Sequence, residues 1–115
     1  DGVGQRLLTR IQTYIHNRTR KSPEEIRTDI AWCRKMLLRT KRMDPEGMFR
    51  WHWLLTDSLE IFCLAAGHPY FGPKKSLKWM EKEHPQAFEC YTNALSHLAW
   101  RDLEAWVELL EECSP

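Results

Sequence analysis

A chain of 115 residues with 43% hydrophobic and 29% charged positions can close one hydrophobic core but not two, and is too apolar to stay disordered. No apolar run is long enough to cross a bilayer, and no segment has the layout of a secretion signal. The net charge of +1 hides an asymmetry: residues 1–50 hold twelve Lys/Arg against six Asp/Glu, whereas residues 51–115 hold five against ten. A basic front half can meet a nucleotide or nucleic acid, or it can complement the acidic back half within one bundle.

The chain reads as helices throughout. Val3–Asn17 places Leu7, Leu8, Ile11 and Ile15 at helical spacing, and residues 17–21 form a polar, basic connector. Ser22-Pro23-Glu24-Glu25 is a helix start, with Ser22 as N-cap, Pro23 in the first helical position and Glu25 as the reciprocal capping residue. Ile26, Ile30, Cys33 and Leu37 then form one apolar stripe as far as Arg39. Asp44-Pro45-Glu46 repeats the cap-then-proline start. The helix that follows, to Ala66, is apolar on much of its circumference through Met48, Trp51, Leu54, Leu55, Leu59, Phe62 and Ala65. Such a helix belongs at the centre of a bundle.

Gly67, Pro69, Gly72 and Pro73 break the chain, and a helix from about Lys74 to Lys82 ends before His84-Pro85. Phe88, Tyr91, Leu95 and Leu98 mark a further helix, and Leu103, Trp106, Val107 and Leu110 the last. The pattern predicts an all-α, up-and-down bundle of five to six helices in a single domain spanning residues 1–115. Cys33, Cys63, Cys90 and Cys113 lie far apart with no C-x-x-C pair, so a metal site is not expected and reduced thiols in a cytoplasmic protein are.

Three features carry chemistry. Lys74, Lys75 and Lys78 open a helix, where lysine ammonium groups and free helix-start N–H groups can face one phosphate; Tyr70 stands in the turn just before them. The ordinary alternative is a solvated helix start with Trp79 packed beneath Lys78. Asp57 and Glu60 stand three apart on the apolar central helix, where a carboxylate needs a partner such as Arg50 or Arg34, or a cleft to open onto. Arg10 and His16 give the R-x(5)-H spacing found in HEPN ribonucleases, a short motif that arises by chance. Most of the six tryptophans are expected in the core, with Trp53 placed to line a pocket beside Asp57.

The segment Trp51–Trp79, with its central helix, the Tyr70-Phe71 and Pro73 turn and the Lys78-Trp79 pair, resembles the helical substrate-binding domain of bacterial nucleotidyltransferases related to the aminoglycoside nucleotidyltransferases. The opening Asp1-Gly2 before Leu7 and Leu8 is similar to the exit from that family's catalytic domain. The resemblance implies that Lys78, with Lys74, Lys75 and Tyr70, contacts the nucleotide. It also implies that Asp57 or Glu60 acts as general base on the acceptor hydroxyl or binds a cationic acceptor. Magnesium and a nucleoside triphosphate are implied for the complete enzyme, and the partners implied are a catalytic domain or subunit and a small-molecule acceptor. A homodimer fits the same picture; nucleic acid and membrane do not.

The departures are as informative. There is no Gly-Ser dipeptide, and no D-x-D or D-x-E on a strand-like segment, so the carboxylates that hold magnesium in such transferases are missing. The chain therefore reads as the severed C-terminal domain of a two-domain enzyme, with a stand-alone antitoxin-like or HEPN-like interaction bundle as the alternative. Purified chain incubated with magnesium, nucleotide and hydroxyl acceptors is expected to give no transfer product. Robust turnover at the protein's own concentration would overturn that reading.

Overall fold

Proline starts four of the five helices found among the described residues. In the computed structural model, which describes residues 21–115, α1 runs Pro23–Thr40, α2 Pro45–Ala65, α3 Pro73–Glu83, α4 Pro85–Ser96 and α5 Trp100–Glu112. The proline ring presets a helical φ, and its missing N–H is one the first turn leaves unpaired anyway. Ser22 closes a full capping box on α1: its hydroxyl accepts from the Glu25 N–H at 3.1 Å, and Glu25 accepts in return from the Ser22 N–H at 3.4 Å. Asp44 caps α2 by accepting from the Gly47 N–H at 2.7 Å. No strand occurs among the described residues, and none of their helices is long and apolar enough to cross a membrane. The helix predicted over Val3–Asn17 lies outside the described residues, as do Arg10 and His16.

Two turns set the path of α2. Between α1 and α2 the chain reverses in Lys41–Asp44, where Met43 takes a left-handed φ of 58°. A non-glycine side chain there costs on the order of 1 kcal/mol. At the far end, Gly67 adopts φ 74°, and the His68 N–H reaches the Cys63 carbonyl while the Gly67 N–H reaches that of Leu64. This paired closure is the Schellman ending that glycine favours. It stops α2 and delivers the His68 ring onto Trp79 of α3, stacked at 4.0 Å with 4° between the planes.

α2 carries ten buried residues, more than any other described helix, as its broad apolar surface predicts. α1 packs on α2 and on α5, and α4 packs on α3 and α5. Ile26, Ile30, Cys33 and Leu37 of α1 are all buried, as are Leu103, Trp106, Val107 and Leu110 of α5. On α4 the expected stripe shifts. Ala87, Tyr91 and Ala94 face the core, whereas Leu95 is exposed and Phe88 only half-buried; Leu98, also exposed, lies beyond the end of the helix. The tryptophans also divide: Trp51 and Trp106 are fully buried, Trp32, Trp79 and Trp100 half-buried, and Trp53 exposed.

One polar group lies at the centre. Trp106 Nε1 donates to the Ser58 hydroxyl at 2.9 Å, Ser58 donates to the Leu55 carbonyl at 3.3 Å, and the Tyr91 hydroxyl donates to the same carbonyl at 2.5 Å. Ser58→Ala leaves the buried indole N–H unpaired, which costs about 1–3 kcal/mol. Urea unfolding of this variant should show a loss in that range with no change in the slope of the transition. A loss below about 0.5 kcal/mol would mean that the bond is not structural.

Candidate functional site

The core contact decides which side of α2 faces outward. Successive residues on a helix are rotated by roughly 100°. With Ser58, Leu55 and Phe62 held inside, Trp53, Asp57 and Glu60 come to the opposite flank, above α1. There a cavity of about 410 Å³ opens, lined by Lys21, Asp29, Trp32, Trp53, Asp57, Glu60 and Ile61. Its walls are aromatic: Trp32 of α1 meets Trp53 of α2 edge to face at 5.7 Å, and Phe49 meets Trp53 at 6.3 Å.

Three carboxylates share this opening. Trp53 Nε1 donates to Asp57 Oδ2 at 2.8 Å, which fixes the carboxylate and the indole against each other. Lys21 pairs with Asp29 at 2.6 Å. Asp57 and Glu60 are half-buried, so neither is forced into the apolar core. The arginines suggested as their partners are engaged elsewhere. Arg50 binds Glu46 one turn back on its own helix, and Arg34 of α1 forms a two-pronged bond with Glu111 of α5. That second pair realises the complementarity between the basic front and the acidic back. The guanidinium holds the Glu111 carboxyl below its usual range, and the carboxylate in turn raises Arg34.

The lysines do not join the carboxylates. α3 meets the last turns of α2 through Trp79, which lies 6.1 Å from Phe62 and stacks on His68. Lys74, Lys75 and Lys78 are exposed on α3, and none lines the tryptophan cleft. Lys75 Nζ instead lies 5.9 Å from the Phe71 ring, and Tyr70 packs half-buried against the core. Burial, together with the nearby His84, lowers the His68 pKa, so its stack on Trp79 is one of neutral rings near pH 7. A site uniting Lys78 with Asp57 and Glu60 across one opening is therefore not what this packing builds.

The four cysteines are free thiols. Burial first, and the charge of Asp29 next, push Cys33 up to about 12, which leaves it protonated and unreactive. Among the described residues no group of three or more His, Cys, Asp or Glu is placed to hold a metal ion.

Asp29 and Trp32 were not read as site residues from the sequence. Their spacing of three on α1 already put them on one face, but only the packing of α1 on α2 brings that face opposite Trp53 and Asp57. Comparison with protein-family models, with curated proteins and with solved structures found no match.

Proposed function

We propose that the chain is the helical substrate-binding domain of a nucleotidyltransferase whose acceptor is an organic cation bearing a hydroxyl group. The observation that supports this reading is the cleft in which two indoles and three carboxylates converge. A cation placed over an indole face gains from the ring's electron distribution, and adjacent carboxylates add charge-assisted hydrogen bonds. A simple metal ion would make no use of the tryptophans, whereas an ammonium group on a carbon skeleton uses both walls. A cavity of about 410 Å³ takes one sugar-sized unit of such a molecule.

Within this reading Trp53 orients Asp57, so that its carboxylate is positioned to bind the acceptor ammonium or to accept a proton from the attacking hydroxyl. Glu60, one turn further along α2, supplies a second negative charge. Magnesium and the phosphate-binding turn belong, in this reading, to the separate catalytic part. Lys74, Lys75 and Lys78, with Tyr70, are the nucleotide contacts that the family resemblance proposes on the other flank.

A second reading has its own support. Phe49 is 69% exposed and Leu98 64% exposed, and large apolar side chains left in water fit a helical module that docks on another protein.

Calorimetric titration of the chain with an aminoglycoside, with spermidine as comparator, separates the two. Binding at low salt is expected, weakened about tenfold or more by Asp57→Asn and by Trp53→Ala, a loss of roughly 1.4 kcal/mol or more. Asn keeps an acceptor for the Trp53 N–H, so the fold should be unaffected. No binding, or binding indifferent to both substitutions, would leave the interaction module as the better account.

A further inference from the structure

Two helical turns from the tryptophans, the same face changes sign. Arg39 stands seven residues along α1 from Trp32, and Glu46 stands seven residues back along α2 from Trp53, with Arg50 beside it. Seven residues returns a side chain to nearly the same direction, roughly 10 Å away along the axis. At this end a second concavity of about 430 Å³ is lined by Arg39, Arg42, Asp44, Glu46, Gly47 and Arg50.

Its guanidiniums come from three places: the last turn of α1, the reversing turn and the second turn of α2. Two of them already face carboxylates of the concavity itself. Arg50 donates through Nε and Nη2 to Glu46 at 3.3 and 2.9 Å, and Arg42 Nε lies 3.6 Å from Asp44. Arg39 has no hydrogen bond or ion pair among the described residues, and it is exposed. The N-terminus of α2 contributes little by itself, because Asp44 already occupies the Gly47 N–H. The capacity for an anion therefore rests on the Arg39 fork and on the outer nitrogens of Arg42, since Arg50 already spends its fork on Glu46. Lys41 is taken up by the Trp100 ring, its Nζ 5.2 Å from the centroid, and within the concavity Arg39, Arg42 and Arg50 outnumber Asp44 and Glu46.

We propose that this arginine-lined basin binds a polyphosphate chain, as in a nucleoside triphosphate, on the same face as the acceptor cleft. The choice of a nucleotide rests on the transferase reading; the anion chemistry does not. An acceptor held by Asp57 and Trp53 would present its hydroxyl toward the α-phosphate, with the outer phosphates extending along the α1–α2 face to the arginines. The basin and the lysine-bearing α3 are rival anion sites on different parts of the surface, so one experiment can choose between them.

Inorganic tripolyphosphate is titrated into the full-length ¹⁵N-labelled chain without magnesium, and amide shifts and affinity are recorded. Shifts are expected at residues 39–50, and Arg39→Gln with Arg42→Gln should weaken binding at least tenfold. Lys74→Gln, Lys75→Gln and Lys78→Gln together should change it less than twofold. Arg39→Lys with Arg42→Lys, which keeps the charge and removes the fork, should give an intermediate loss and serves if the Gln pair is poorly folded. No binding, shifts confined to residues 74–78, or an equal loss in the lysine and arginine variants would overturn the proposal. Acceptor titration of the Arg39→Gln, Arg42→Gln protein completes the set. If the acceptor binds its cleft while tripolyphosphate binds nowhere on the face, only the basin falls. If tripolyphosphate binds at the arginines while no acceptor binds, the transferase reading falls and the anion site stands.

Discussion

The hydroxyl of Ser58 is the point on which the arrangement turns. It accepts from Trp106 of α5 and donates to the Leu55 carbonyl, which also receives Tyr91 of α4. One turn of α2 is thereby fixed against two other helices by bonds that tolerate little rotation. Trp106 lies 5.6 Å from Phe62 and 4.8 Å from Tyr91, so the polar contact is enclosed by rings that exclude water and strengthen it. Because Asp57 directly precedes Ser58, the bond that keeps Ser58 inside also turns Asp57 outward. The carboxylate's place in the cleft is a consequence of the core.

The same constraint gives the α1–α2 face its character. A helix as apolar as α2 must be covered on several sides, and α1 covers one of them. What remains uncovered is a strip with Asp57 and Glu60 at one end, Phe49 and Arg50 at the other, and Trp53 between them. α1 follows the same order in reverse, with Asp29 and Trp32 beside the acidic end and Arg39 beside the basic one. The sign change along this strip is invisible in the near-neutral total charge. It would let one elongated ligand meet a cation site and an anion site in a single pose.

Much of the fold was legible because its signals are local. Ser22 with Glu25, Asp44 ahead of Pro45, and the glycines and prolines around residues 67–73 each act within a turn or two, and the helix limits fall within two residues of where they point. The apolar stripes on α1 and α5 were equally plain, because bulky residues repeat at helical spacing. α4 misled for the opposite reason: two of its three core positions are alanines, and size was a poor guide to burial there. The site was only partly readable. Asp57, Glu60 and Trp53 shared a helix and could be grouped, but Asp29 and Trp32 joined them through tertiary packing alone. Arg39, Arg42 and Arg50 come from separate elements, so no motif could link them. Lys78 was assigned to the right helix start, yet the stack of Trp79 on His68 docks that helix against the end of α2 and away from the cleft.

The six indole N–H groups report directly on the central claim, because each tryptophan occupies a different environment. Trp106 and Trp100 donate within the protein to Ser58 and to Leu37 and Thr40, whereas Trp53 donates to Asp57 at the cleft. In a ¹H–¹⁵N spectrum recorded during titration with an aminoglycoside, the Trp53 and Trp32 indole signals should move together and saturate, while those of Trp51, Trp100 and Trp106 stay in place. Movement confined to Trp79, or an unchanged spectrum at millimolar acceptor, would contradict the claim that the α1–α2 cleft is the binding site.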